Sequence, residues 1–177
     1  MQYQAVVFDM DGVIFDTERL VIEFWKEVAK KHNIPNVEHT CIQCLGTNRV
    51  RTREIFLENY GADFPFDPYR AEVTELFNTH YKGVPLPTKP GVRELLSYLQ
   101  EQDIKVGLAS STAQHLVRDE IGTAGLLPYF QTLVCGDMVE HSKPAPDIFL
   151  KACEILNADP TKSIAIEDSF NGIRSAH

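Results

Sequence analysis

Gln4-Ala5-Val6-Val7-Phe8-Asp9-Met10-Asp11-Gly12 decides the fold. A short, wholly apolar run broken abruptly by Asp-x-Asp-Gly suits a strand buried on both faces, as in a parallel sheet covered by helices. By the chain's own composition, Asp-x-Asp-Gly is expected only about 0.04 times by chance. Two-residue spacing in an extended chain puts Asp9 and Asp11 on the same side, so both carboxylates can face one ligand. An Asp/Gly turn and a calcium loop are the competing readings. A calcium loop requires Gly at its sixth position and an acid at its twelfth; here the Gly is fourth and the twelfth is Leu20.

Outward from this strand, Leu20, Val21, Phe24, Trp25 and Val28 recur at three- and four-residue spacing and predict a helix from about Thr17 to Lys31, stopped by Pro35. Two more helical stretches are expected at about Asn48–Asn59 and Pro68–Tyr81, with no strand signal between them. Gly83-Val84-Pro85-Leu86-Pro87-Thr88-Lys89-Pro90-Gly91 reads as a linker. Beyond it the pattern is regular: a helix carrying Val92, Leu95, Leu96 and Leu99, the strand 104–109, a helix at about Thr112–Ile121, the strand 131–135, a helix carrying Ile148, Phe149, Ala152 and Leu156, and the strand 163–166. Such alternation predicts an α/β fold with a parallel sheet. The first strand must join that sheet across an all-helical insert from about Thr17 to Gly83.

The 177 residues carry 17 basic and 25 acidic side chains, a net charge of −8, and 44% are apolar. This is globular composition, sufficient for a packed core. An acidic chain with no basic cluster disfavours a nucleic-acid partner. No apolar run reaches the 18 or so residues of a membrane helix, so no membrane association is expected, and Asp9 and Asp11 interrupt the place where a signal peptide would be apolar. The chain is expected to be cytoplasmic. Cys41-Ile42-Gln43-Cys44 is formally a C-x-x-C, yet it has neither a second close pair nor a strand-to-helix context, and ordinary packing is the expectation.

Ligands of doubly wound sheets bind beyond the carboxyl ends of the strands, and polar groups gather at each of these ends. The first strand ends at Asp9 and Asp11, the second at Ser110 and Ser111, the third is followed by Lys143, and the fourth ends at Glu167 and Asp168. Ser110 precedes a helix start, where a hydroxyl and free N–H groups can grip a phosphate, although Ser at such a place also serves as a plain cap. Lys143 in isolation could be a solvated surface lysine. Paired carboxylates at a sheet edge repel one another unless a cation lies between them, and hard oxygen ligands suit magnesium.

Together, Phe8-Asp9-Met10-Asp11-Gly12-Val13, Ala109-Ser110-Ser111, Ser142-Lys143-Pro144-Ala145-Pro146-Asp147 and Ile166-Glu167-Asp168-Ser169 resemble the four motifs of the haloacid dehalogenase-like superfamily. The chain is most similar there to the branch of sugar-phosphate phosphatases and β-phosphoglucomutase. The resemblance spans the whole chain. It implies a Rossmann-like core of residues 1–16 and 84–177 with a helical cap, residues 17–83, inserted after the first strand. It also implies that Asp9 is a nucleophile forming an aspartyl-phosphate and that Asp11 is the general acid and base, with a pKa tuned upward. Ser110, Ser111 and Lys143 would bind the phosphoryl group. Mg2+ would be held by Asp9, the main-chain carbonyl of Asp11 and Asp168, with Glu167 close by. The branch lacking a second aspartate, the dehalogenases, is disfavoured.

In the cap, Gly46-Thr47-Asn48-Arg49 falls where mutase-like members carry a Gly-x-x-Arg whose arginine grips the substrate's second phosphate, which makes Gly46 and Arg49 candidates; a solvated Arg49 is the plainer reading. His80 is a further substrate candidate near the return hinge, as is Lys82. Phe15-Asp16-Thr17 and the loop at Pro87 are the implied hinges for cap closure. Val21 stands where the mutases carry a histidine, which places a Mg-dependent phosphatase of a small phosphorylated metabolite ahead of β-phosphoglucomutase. A silent phosphate-binding protein on the same fold is the rival from another class. No obligatory protein partner is evident. Relatives of this kind continue beyond a segment such as Phe170–His177, so the C-terminal part of the core is expected to be missing, leaving an unprotected sheet edge or face.

Overall fold

The computed structural model describes residues 3–45 and 49–177. The chain divides into two compact units, one of residues 1–16 and 85–177 and one of residues 17–84. In the first unit four strands, β1 (Ala5–Phe8), β2 (Lys105–Ser110), β3 (Thr132–Cys135) and β4 (Ser163–Ile166), form one parallel sheet in the order β3-β2-β1-β4. All four β1 residues are buried, as the unbroken apolar run requires of a central strand. Among the described residues β4 pairs only with β1 and is an edge strand, with Ala165 exposed and its other residues half-buried.

The helices of this unit are α5 (Val92–Glu101), α6 (Gln114–Thr123), α7 (Asp147–Ile155) and α8 (Phe170–Ala176). (Helices α1 to α4 belong to the second unit.) α7 packs on β1, β2 and β3. Its Ile148, Phe149, Ala152 and Cys153 join Ala5, Val7, Ala109, Val134 and Leu156 in one buried cluster. Side chains alternate between the faces of a strand, so Val6, Phe8 and Leu108 serve the opposite face, where α5 packs on β2 and α6 on β3. Burial of such side chains contributes on the order of 1.5–3 kcal/mol each, and this is the main force holding the strand ends in place.

The second unit contains α1 (Thr17–His32), α2 (Val37–Gln43), α3 (Arg49–Tyr60) and α4 (Phe66–Tyr81). Its core is aromatic: Trp25 lies 4.5 Å from Phe56 and 5.9 Å from Phe66, ring to ring, and Phe24 meets Phe77 edge-on at 5.9 Å. α2 is a departure from the sequence reading. Only Val37, Thr40 and Cys41 are buried on it, too few positions to register a helical period. α4 begins before Pro68 rather than at it, because the amide that proline lacks is one of the unbonded donors of a first helical turn. Cys41 is buried and unbonded to any other cysteine. Among the described residues no helix is long and apolar enough to cross a membrane.

Candidate active site

The sheet order itself defines the site. From β1 the chain proceeds outward through β2 to β3, then returns to place β4 on the other side of β1. That reversal opens a crevice at the carboxyl ends of β1 and β4, the position at which ligands bind in such sheets. Asp9 follows β1 and Glu167 follows β4, tied by the Asp9 amide donating to the Ile166 carbonyl at 2.9 Å.

Lys143 closes the crevice from the segment after β3. Its Nζ donates to Asp9 Oδ1 at 2.6 Å, to Glu167 Oε2 at 2.6 Å and to the Ala109 carbonyl at 3.1 Å, and it lies 4.9 Å above the Phe149 ring. The Lys143 side chain is 8% exposed, that of Asp9 9% and that of Glu167 3%, so this is no surface lysine. Glu167 Oε1 accepts from the Ser169 amide at 3.0 Å and the Ser169 hydroxyl at 2.9 Å, and the same hydroxyl accepts from the Gly172 amide and caps α8. Every oxygen that orients Glu167 therefore has a fixed partner.

Charge at the crevice is unevenly balanced. Burial is the dominant influence on Asp9 and raises its pKa; the Lys143 charge and hydrogen bond pull it down, while Glu167 and Asp11 push it up, and it comes to about 7. Glu167 is the opposite case: burial opposes its charge, but Lys143 and Ser169 prevail and hold its carboxyl below the usual range. One ammonium thus serves two buried carboxylates, with Asp168 beside them. Ligand oxygens of Asp9, Glu167 and Asp168 lie within 4.8 Å of one another. Three hard oxygen donors around an excess of negative charge are the donor set of a divalent cation.

Two glycines make room for these carboxylates. Gly12 has φ +77°, and a Cβ there would sit 1.9 Å from Asp168 Oδ2. A Cβ at Gly172 would sit 1.9 Å from the Glu167 Cδ.

Asp11 is exposed and accepts from the Thr112 hydroxyl at 3.2 Å. Ser110 ends β2, is buried, and its Oγ accepts from the Thr112 amide at 3.1 Å. α6 begins at Gln114, four residues later, and its first amide is taken by the Asp137 carboxylate at 3.1 Å. Ser110 is therefore not at the helix start that the sequence suggested; the turn 111–113 intervenes. Ser111 is exposed, and its carbonyl packs where a Cβ on Gly136 would lie 2.2 Å away. Asp9, Lys143, Glu167 and Asp168 are thus brought together, with Ser110 at the neighbouring strand end. The cap candidates belong to the helical unit. Arg49 opens α3 and pairs with Asp67 at 3.3 Å, His80 on α4 meets Phe24 and Tyr81 ring to ring at 5.8 and 4.8 Å, and Gly46 lies outside the described residues. Sequence reasoning passed over Thr112, Ser169 and Gly172. Only Ser169, three residues before Gly172 at a helix start, carried a local signal.

A doubly wound α/β sheet with an acid at the end of its first strand, a buried lysine after its third and an acidic pair after its fourth is a carboxylate-centred site at a switch point. A profile of the haloacid dehalogenase-like hydrolases matches residues 6–177, and the chain belongs to that family. It is 34% identical to a phosphorylated carbohydrates phosphatase of Thermotoga maritima, over 98% of this chain and 80% of that one. It is also 34% identical to the β-phosphoglucomutase of Bacillus subtilis, over 96% of this chain and 77% of that one. The crystal structure of a β-phosphoglucomutase from Clostridium difficile superposes with a TM-score of 0.68 at 25% identity, covering 99% of this chain and 80% of that one.

Proposed function

We propose that the chain is a Mg2+-dependent phosphatase of a small phosphorylated metabolite, a sugar phosphate by the similarity to the Thermotoga maritima phosphatase. The observation that carries this reading is the buried Asp9–Lys143–Glu167 bridge, with both contacts at 2.6 Å, at the mouth of the sheet's switch point. An Asp9 carboxylate oxygen attacks phosphorus, and the ester P–O bond breaks. Asp11 delivers a proton to the departing alcohol oxygen. Asp11 then takes a proton from water as the water oxygen attacks phosphorus, the aspartyl P–O bond breaks, and inorganic phosphate leaves with Asp9 restored.

Lys143 reduces the repulsion between the carboxylate nucleophile and a phosphate dianion, and Ser110 and Ser111 border the phosphoryl position. Asp9, the Asp11 carbonyl and Asp168, backed by Glu167, are the residues that would hold Mg2+, which supplies charge neutralisation to the phosphoryl group. The Gly12 cradle, which admits the Asp168 carboxylate, supports this assignment.

The reading is tested with p-nitrophenyl phosphate. Turnover is expected only with Mg2+ and is expected to vanish in Asp9→Asn. Turnover indifferent to both would sink it. A mutase is the second reading, supported by the identity to the Bacillus subtilis enzyme. Supplied with β-glucose 1-phosphate and a catalytic amount of the 1,6-bisphosphate, a phosphatase releases inorganic phosphate faster than glucose 6-phosphate appears, and the reverse order marks the mutase.

A further inference from the structure

Along α4, Asp67, Arg70, Thr74 and Asn78 recur at spacings of three and four, with Ala71, Glu75 and Thr79 beside them, so they form one polar face of the helix, and Lys82 follows directly at its end. The opposite side carries Phe66, Val73 and Phe77, turned into the aromatic core of the helical unit. An exposed helix face of this kind is usually just solvated. This one is concave. Arg49, at the start of α3, stands against it and closes a groove of about 780 Å³ floored by small side chains such as Ala71 and Thr74.

The charges in the groove are not mutually satisfied. Asp67 is shared by Arg49 and Arg53, both at 3.3 Å, so its single charge is already committed. Arg70 is half-buried and donates to the Thr74 hydroxyl at 2.7 Å; among the described residues it pairs with no carboxylate. Burial and the neighbouring Arg49 both work against its charged state. A guanidinium kept partly buried beside a second cation, in a protein of net charge −8, has several N–H donors left for a ligand, and its planar fork matches a tetrahedral oxyanion. Lys82 adds a third positive charge at the far end, and the Asn78 amide adds a neutral donor. Glu75 also lines the groove.

We propose that this groove is an oxyanion-binding site centred on Arg70, with Thr74 and Asn78 as its other contacts and the Lys82 charge adding attraction from the far end, and that it takes a phosphate or the phosphate of a phosphorylated metabolite. The site stands apart from the hydrolytic reading above, since its evidence is entirely within the helical unit and its readout is binding. Two sources can supply the anion: a second phosphate on the substrate, or a separate phosphorylated effector.

The test is an NMR titration of the whole chain with inorganic phosphate, read at the Arg70 Nε–H and the Asn78 side-chain amide. Saturable shifts at both are expected in the wild type, and the affinity read at the Asn78 amide is expected to fall about 10- to 100-fold in Arg70→Gln, as for the loss of one charge-assisted contact. Thr74→Ala, which keeps all the charges, is expected to weaken binding by a smaller factor. No saturation at Arg70 up to roughly 20 mM phosphate, or equal affinity in wild type and Arg70→Gln, overturns the proposal. Phosphate also meets the sheet crevice, so crevice signals serve as an internal control and their shifts report on that site alone. The source follows from KM in Arg70→Gln relative to wild type. A rise larger for a hexose bisphosphate than for a hexose monophosphate assigns the anion to the substrate, and equal ratios alongside the lost phosphate shifts assign it to an effector.

Discussion

Lys143 shows how burial converts a side chain that is ordinary in sequence into a structural and chemical pivot. Three acceptors surround its ammonium, two of them carboxylates at 2.6 Å, and the Phe149 ring lies beneath. Removing the cation while leaving two buried acids costs on the order of 3–5 kcal/mol, unless one of them takes up a proton. Lys143→Met is therefore expected to melt well below wild type at pH 8 and closer to it at pH 5, where Asp9 can be neutral; an equal drop at both pH values would contradict the bridge. Hydrolysis of p-nitrophenyl phosphate by this variant is expected to fall by about 10²–10³-fold in kcat, the usual effect of losing one donor to a developing oxyanion. Lys143 after a strand and before Pro144 was legible as a candidate. Its burial was not, because nothing local to Ser142-Lys143-Pro144 states which carboxylates will surround it.

At the scale of the elements, the helix α8 and the turn after β1 exist in the form they do to place carboxylates. Ser169 caps α8 and simultaneously donates to Glu167, so one hydroxyl fixes the helix start and the acid together. Gly172 supplies the space: in Gly172→Ala the new methyl would lie 1.9 Å from the Glu167 Cδ. That variant is expected to weaken Mg2+ binding by about tenfold or more, measured as the shift in melting temperature with added Mg2+, since repositioning one carboxylate disturbs the set. Gly61→Ala is the control for an added methyl away from the acids. It asks an L-residue to adopt a positive φ, +98°, which the helical Gly172 does not, but it has open space, so a loss of roughly 1 kcal/mol with normal metal response is expected. The helices of the first unit were readable from their apolar spacing, as was the β-α alternation. α2 was not, since three buried positions in seven residues carry no period. The start of α6 was displaced because its first amide is held by Asp137, a residue far along the chain whose partnership no local pattern encodes.

For the whole molecule, the acidic cluster is expected to make stability depend on pH and, if it holds the proposed Mg2+, on cations as well. The folded pKa of Asp9, about 7, lies above its ordinary 3.8, so its contribution is fully present below 3.8 and is lost as pH rises through about 7. Glu167 is depressed, so its contribution is present above 4.5 and is lost as pH falls through its folded value. Without added cations, melting temperature is expected to decline from about pH 5 toward pH 8 as Asp9 is forced to ionise in place. A divalent cation removes that penalty by favouring the carboxylate form. Saturating Mg2+ is therefore expected to raise the melting temperature by about 5–10 °C at pH 8, and by clearly less at pH 5. A Mg2+ effect that is the same at both pH values would separate the metal from Asp9.

The sequence by itself determined the element order, the parallel α/β core, the helical insert and the four polar strand ends, because alternation, helical spacing and turn chemistry act over a few residues. Only the tertiary structure decided that β4 lies beside β1 and not beyond β3, which is what brings Glu167 to Asp9. The same holds for the burial of Lys143 between those acids and for the groove that Arg49 closes over Arg70. These features depend on which distant segments pack together, and that follows from burying the apolar faces of the whole chain at once rather than from any single stretch of it.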